Sequence, residues 1–471
     1  MLPLRFGPLA LCVFLAPPLR AEEPGGNLRD DARKALKTAA TFYRTKAASH
    51  GGYVYYYSPD LKERWGEGAA SADTIFVQPP GTPTVGTAYL RAYEATGDGF
   101  YLDAARETAR ALVYGQLESG GWTQVIHFAR ANRMGKYRNG KGGNWNASSL
   151  DDGQTQAALV TLMRTDRALD FKHKEIHEAV TYGLDRLLGA QFRNGGFPQV
   201  WTKDVVDFLA VPAKYPDYDW KTEGRVKNYW DYPTLNDGLA GTVADVLVEA
   251  HLTYKDAKYK AALEKLGDFL ILAQMPDPQP GWCQQYSQKM VPIWARKFEP
   301  PAITGWESQD AMRTLVKIAR HTGERKYLAP IPRALAYFNK SLLEDGKVAR
   351  FYELKTNKPL YMNARYELTY DDSAAPAHYG WKQPARFKEI EKEYEDARAD
   401  RAPEAKPRTA KELEADVRRV LKELDAEGRW VSVYAGERLV GQPKFAREFR
   451  YISSAVFSAN VETLSAYIAA K

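Results

Sequence analysis

Cysteine is nearly missing from this chain of 471 residues: Cys12 and Cys283 are the only two. Cys12 falls in an N-terminal stretch expected to be removed, so the mature chain holds no pair for a disulfide and its stability has to come from packing. Long apolar runs are equally scarce. The run Leu9 to Ala16 follows Arg5 and precedes Pro17-Pro18-Leu19-Arg20-Ala21 and Glu22-Glu23, the layout of a cleaved secretory signal over residues 1–21 and not of a spanning helix. The chain is therefore expected to be secreted or periplasmic, with no membrane partner. A strong excess of one charge is missing too: the net charge is +7, and +5 once Arg5 and Arg20 leave with a leader free of acids. That modest excess, beside 29 Tyr and 11 Trp, suits an acidic polymer and equally suits an ordinary soluble basic protein. Nucleic acid is excluded as a partner by export and by the lack of any nucleic-acid-binding motif.

What is present is a glycine-aromatic phrase that recurs at spacings of roughly 65 to 86 residues. It reads Gly51-Gly52-Tyr53-Val54-Tyr55, Gly120-Gly121-Trp122-Thr123-Gln124, Gly195-Gly196-Phe197-Pro198-Gln199 and Gly281-Trp282-Cys283-Gln284-Gln285, more faintly Gly346-Lys347-Val348-Ala349-Arg350, and then Gly428-Arg429-Trp430-Val431-Ser432. Apolar residues at helical spacing lie between the phrases, over Val85–Thr96, Tyr101–Gln116, Thr155–Leu169, Ile176–Leu188, Gly238–Tyr254, Tyr259–Leu272, Asp310–His321 and Tyr327–Leu342. Units of this kind bury their apolar faces against one another. The expected fold is mainly α, a toroid of helical hairpins with short β-hairpin decorations, its variable turns gathered on one face where a long substrate would lie. Gly97 and Gly323 are placed to end helices. Val348–Leu354 and Pro359–Met362 read as a hairpin joined by Lys355–Lys358. Lys388–Lys422 is so rich in charge that it reads as a solvated connector around Pro403 and Pro407, and Ser453–Ala470 reads as a helix that packs back onto the ring.

Several constellations have chemical potential. Leu150-Asp151-Asp152-Gly153 and Leu235-Asn236-Asp237-Gly238 each put carboxylates just ahead of a helix. There an acid can simply cap free amides, or it can contribute oxygen ligands to a hard cation such as Ca²⁺. Arg296 and Lys297 stand in a loop stiffened by Pro300 and Pro301, followed by Glu307 at the head of a helix; low loop entropy favours binding. Arg350 and Arg365, on either side of the expected hairpin, are placed to fork a carboxylate or to pair with acids of the sheet. His173 and His177 lack the third ligand of a zinc site. The basic run from Arg130 to Lys141 is either a steering patch or a solvated loop.

Taken in order, Gly195–Gln199, Thr234–Asp237, Trp282–Gln285, Ala295–Pro301, Glu307-Ser308, Arg350–Glu353 and Thr356–Pro359 resemble the pectate lyases of polysaccharide lyase family 10. The resemblance covers about residues 27–382, leaving 383–471 as a charged helical connector and a final helix. It implies an (α/α)3 toroid and calcium-assisted anti β-elimination on polygalacturonate; the protein is expected to act as a monomer. By the same resemblance Asp151 would line the Ca²⁺ and substrate site, Arg296 would be the Brønsted base, and Arg350 and Arg365 would bind the substrate carboxylate; Asp152 is expected to hold the ion beside Asp151, and Lys297, Asp237 and Glu307 to bind substrate. The chain departs from the family pattern in reading Asp151-Asp152 where that pattern has Asp-Asn, in Gln154, in the shortened stretch Tyr370–Tyr379 and in the tail after Lys382. The chemistry is coherent, because removing the C5 proton of a uronate builds negative charge at its carboxylate, where cations stabilise it. Arginine is an unusual base, being normally protonated; Lys297 or a hydroxyl is the fallback, with Arg296 then an electrostatic stabiliser. Two other classes fit the same residues: a toroid glycoside hydrolase using two of Asp151, Asp152, Asp237 and Glu307, and a non-catalytic binder of acidic polysaccharide.

Overall fold

The computed structural model describes residues 27–202, 208–403 and 407–470; the leader at 1–21 lies outside them. Twelve α-helices appear among the described residues: α1 (Leu28–Phe42), α2 (Thr82–Thr96), α3 (Gly99–Tyr114), α4 (Gln154–Ala168), α5 (Lys174–Gly189), α6 (Leu239–Tyr254), α7 (Ala257–Ala273), α8 (Gly305–Thr322), α9 (Ile331–Lys340), α10 (Phe387–Arg398), α11 (Ala410–Glu423) and α12 (Ser454–Ala469). Local chemistry sets many of their ends. Asn27, Asp98, Asp256 and Ser453 accept backbone N–H groups at the starts of α1, α3, α7 and α12, and Thr409 with Glu412 forms a capping box on α11. Gly97 and Gly323 end α2 and α8 in the left-handed region.

The helices form a toroid. α12, α2, α4, α6, α8 and α10 touch in that order as an inner row, while α3 backs α2 and α4, α7 backs α6 and α8, α9 backs α10, and α1 and α11 back α12. Hairpins α4–α9 make a three-hairpin unit, and the same row continues on both sides of it. The three tryptophan-bearing glycine phrases are fastened to outer helices. Trp122, Trp282 and Trp430 are buried and donate Nε1–H to the carbonyls of Leu112 in α3, Leu270 in α7 and Val420 in α11, at 2.8, 2.8 and 2.9 Å. Gly428, at φ +85°, lies so close to α1 that a β-carbon there would meet the Thr38 carbonyl oxygen at 2.8 Å, so the last phrase docks on the first helix. Strands 431–433, 450–453, 56–57 and 64–65 then join the C-terminal and N-terminal parts in one antiparallel sheet.

Two parts of the chain differ from the sequence-based expectation. Helix α1 was not anticipated, although Ala32, Leu36, Ala39 and Ala40 form its buried stripe. The stretch expected to be a solvated connector within 383–471 is instead packed. Phe387, Ile390 and Ala397 of α10, and Leu413, Val417 and Val420 of α11, are buried at helical spacing, so a few apolar residues suffice to seat each helix. The hairpin of strands 351–353 and 359–362 forms, flanked by strands 302–304 and 368–369, and Arg350 opens it.

Candidate active site

The site begins with one turn used twice. Leu150–Gly153 leads into α4 and Leu235–Gly238 into α6, and the two helices are neighbours in the inner row. In both turns the acid just before the glycine is left-handed, Asp152 at φ +46° and Asp237 at φ +52°, and a left-handed glycine follows, Gly153 at +72° and Gly238 at +70°. Left-handed backbone is costly for most residues and tolerated best by Asn and Asp. No side chain caps either helix start, so the carboxylates are not used as helix caps. They face one another instead: Asp151, Asp152 and Asp237 each offer an oxygen within 4.8 Å of the other two.

Side-chain amides hold this trio, Gln199 directly and Gln124 and Gln284 through Gln78 and Asn236. Gln199 Nε2 donates to Asp151 Oδ1 at 2.7 Å, and Gln78 Nε2 donates to Asp152 Oδ2 at 3.0 Å while its Oε1 accepts from Gln124. Asn236 Nδ2 donates to Asp237 Oδ2 at 2.7 Å and its own Oδ1 accepts from Gln284 Nε2 at 2.8 Å. Burial, reinforced by the Asp237 charge, pushes the Asp151 carboxyl up to about 6; burial with the charges of Asp151 and Asp237 takes Asp152 to about 7. Burial also raises Asp237, against the pull of Arg350 and Arg296. Three crowded carboxylates with a hard oxygen donor set fit a cation such as Ca²⁺, and the unpartnered, buried Oε1 of Gln199 adds a further oxygen beside them.

Two guanidinium groups flank the trio. Arg350 is buried, with Nη2 3.3 Å from Glu307 Oε1 and 3.6 Å from Asp237 Oδ1, its plane 4.3 Å from the Tyr379 ring centroid. Its Nε and Glu307 Oε2 have no partner. Glu307 is fully buried and is raised by that burial, opposed by Arg350 and by the Gln284 amide. Arg296 is more open, its side chain 42% exposed, and grips buried Glu299 in a fork with Nε–Oε2 2.8 Å and Nη2–Oε1 2.6 Å. Tyr379 donates to the same Glu299 oxygen at 2.9 Å. Burial alone would lower the Arg296 pKa, but the Glu299 carboxylate outweighs it, so the guanidinium is held more firmly protonated than usual. The Arg296 charge is nonetheless felt by Asp151, Asp152 and Asp237.

Asp151, Asp152, Asp237, Arg296, Glu307 and Arg350 are thus brought together. Arg365 is not: it is 80% exposed and pairs with Glu367 at 3.0 Å, so the expected fork with Arg350 is not formed. Lys297 also points elsewhere, lying 3.7 Å from the Tyr366 ring centroid. His177 is taken by Asp166 at 2.9 Å. In the basic loop, Lys136 and Arg138 pair with Glu118 and Glu178, and Arg133 caps the Phe128 carbonyl. Sequence reasoning passed over Glu299 and Tyr379, which carry no local pattern. It also passed over the role of Gln199 and Gln284, whose repeated place at the end of the glycine phrase was the available signal. Behind Asp152 and Asp237 a cavity of about 800 Å³ enters the ring between α2, α4, α6 and α12. Asp245, Glu249 and Glu462 help line it, with Arg164 the one basic side chain on its wall, so it does not suit a polyanion.

The family model for pectic acid lyase matches residues 116–348. Among solved structures, a mutant of the family 10 polysaccharide lyase from Cellvibrio cellulosa, in complex with trigalacturonic acid, is 18% identical, covers 66% of this chain and 98% of that chain, and has a TM-score of 0.47. The family 10 polysaccharide lyase of the same organism is 19% identical over 63% of this chain and 94% of its own, with a TM-score of 0.44. Cellobiose 2-epimerase from Bacillus thermoamylovorans is 15% identical, covers 93% and 98%, and has a TM-score of 0.48. No curated protein sequence matches the chain.

Proposed function

We propose that this chain, which resembles the pectate lyases of polysaccharide lyase family 10, is a secreted or periplasmic enzyme that cleaves polygalacturonate by β-elimination. The family match supports polysaccharide lyase activity. The observation that carries the reading is the convergence of Arg296 and Arg350 on the carboxylate trio: one set of groups suits an ion, the other suits the acid of the sugar. Among the described residues no helix is long and apolar enough to cross a membrane.

In this reading the uronate carboxylate sits between Arg350 and the trio, and Asp151, Asp152 and Asp237 would hold Ca²⁺. When bound, that ion supplies positive charge where the carboxylate becomes enolate-like. Arg350, anchored by Glu307 and Tyr379, contributes a second fixed positive charge that needs no reorganisation during reaction. We assign the C5 proton to Arg296. Its removal releases an electron pair that forms the C4–C5 double bond as the C4–O bond breaks, and the leaving oxygen takes a proton from water. Glu299 fixes the guanidinium in position and also holds it protonated in the free protein, so proton uptake requires the cations gathered round the bound sugar to lower its proton affinity. Lys297 and Arg365, outside the cluster, serve neighbouring sugar carboxylates.

Incubation with polygalacturonate tests this directly. An ultraviolet-absorbing unsaturated end should appear, should be lost with a chelator and should be lost in Arg296→Ala. Reducing ends without the chromophore would instead select the hydrolase reading. The structure gives that reading less support, because Glu307 is fully buried and tied to Arg350 and Gln284 and is not poised across an open bond.

A further inference from the structure

The stretch 434–449 lies outside the family match yet reaches the site. On one side it is pinned to the N-terminal sheet: the Phe445 ring sits 5.0 Å from Trp65 and 5.8 Å from Tyr56, centroid to centroid, and Tyr56 donates its hydroxyl to the Val440 carbonyl at 3.1 Å. Gly441, at φ +73°, approaches so closely that a β-carbon there would meet the Gly66 carbonyl oxygen at 2.5 Å. The next residue, Glu67, accepts from Gln78 Nε2 at 2.9 Å, the amide that also bonds Asp152. On the other side Arg438 Nη2 donates to the His378 carbonyl at 2.8 Å. The His378 ring stands edge-on to Phe298, which lies 4.9 Å below the Arg296 guanidinium, and adjacent Tyr379 bonds Glu299. Residues 438 to 441 therefore run from the shoulder beside Arg296 to the shoulder beside Asp152, a reach of at most about 11 Å of chain.

We propose that residues 437–442 form a strap closing one end of the cleft between these shoulders, so that the protein engages acidic glycan chains by an end and releases short unsaturated oligomers. The inference rests on the lyase reading and adds the mode of attack. A polymer cut internally has to leave a groove at both ends, and a chain segment bonded to both walls blocks one exit. The strap also suits a chain terminus chemically. Arg438 forms no ion pair among the described residues, and its contact with His378 is to a neutral carbonyl, so its charge is left for a terminal uronate carboxylate. Glu437 is turned away, accepting from its own loop at Ala435 N–H and from the Tyr451 hydroxyl.

The test follows polygalacturonate digestion by ultraviolet absorbance, viscosity and product size together. The intact protein should raise absorbance with little early loss of viscosity, and its products should be short from the outset. Replacing residues 438–442 by two glycines should lengthen the early products and speed viscosity loss per bond cut several-fold; Arg438→Ala, a milder change, should move both in the same direction. Long mixed oligomers from the intact protein would overturn the strap, as would an unchanged product profile in both variants with melting curves like the parent's. If no chromophore forms, the lyase reading fails, and calorimetric binding of tri- and hexagalacturonate then decides on the strap alone. Equal affinities support it, whereas affinity that climbs with length, or no binding at either length, overturns it.

Discussion

Glu299 makes Arg296 both better placed and harder to deprotonate, and that tension defines what its substitution should do. Arg296→Ala is expected to lower kcat about 10²- to 10⁴-fold, the range for losing a positioned proton acceptor, and to lower the melting temperature as well, because it leaves the buried Glu299 carboxylate without its cation. Initial rates of absorbance and a thermal melt check the two halves of that statement. Arg350 shows the same effect more strongly, because the guanidinium is itself buried. It is buried against Glu307, so Arg350→Ala strands a carboxylate and should cost about 3–5 kcal/mol of stability as well as activity. Adding Glu307→Gln should recover most of the stability and none of the turnover, which denaturant melts and rates would separate.

The repeated acidic turn carries the site through its backbone. Gly238→Val places a β-branched residue at φ +70° and should cost on the order of 1–2 kcal/mol. Calcium affinity should fall with it, since Asp237 is aimed by the same turn; isothermal titration against the parent reads that loss. A matched control is Trp282→Phe, which removes the bond to Leu270 in α7 at about 1 kcal/mol and should leave calcium affinity alone. The glutamines complete the turn from the neighbouring repeat, Gln199 reaching Asp151 and Gln284 reaching Asn236, so that each phrase serves the acid of the turn before it.

At the scale of the whole molecule, the crowded trio makes stability depend on pH with a definite sign. Asp151 is raised to about 6 and Asp152 to about 7, so between the ordinary carboxylate range and about pH 7 the folded protein binds more protons than the unfolded chain. Without calcium, stability should therefore fall as pH rises through that window. Calcium should reverse the trend, release protons on binding, and bind more tightly as pH rises to about 7. Melting curves at about pH 5 and about pH 8, with and without calcium, check both directions, and a calcium-free protein that gains stability toward pH 8 would contradict the crowded trio.

The period of the glycine-aromatic phrase was enough to specify a helical toroid, because a glycine needed for close approach and an aromatic needed to fill a gap leave their mark wherever a unit repeats. Local motifs and the family resemblance singled out Asp151, Asp152, Asp237, Arg296, Glu307 and Arg350, and with them Lys297 and Arg365, which packing placed elsewhere. Local pattern could not reveal α1, whose small alanines mark a stripe only once a partner lies against it, nor that α10 and α11 are seated rather than solvated. Three-dimensional packing alone turned the paired acids from helix caps into a trio and gave Glu299 to Arg296 and Tyr379 to both. It sent Arg365 out to Glu367 and brought the stretch around Arg438 back to His378. Those outcomes depend on which charges end up a few ångströms apart after distant segments close the ring, and such separations are set by the whole fold and not by neighbours along the chain.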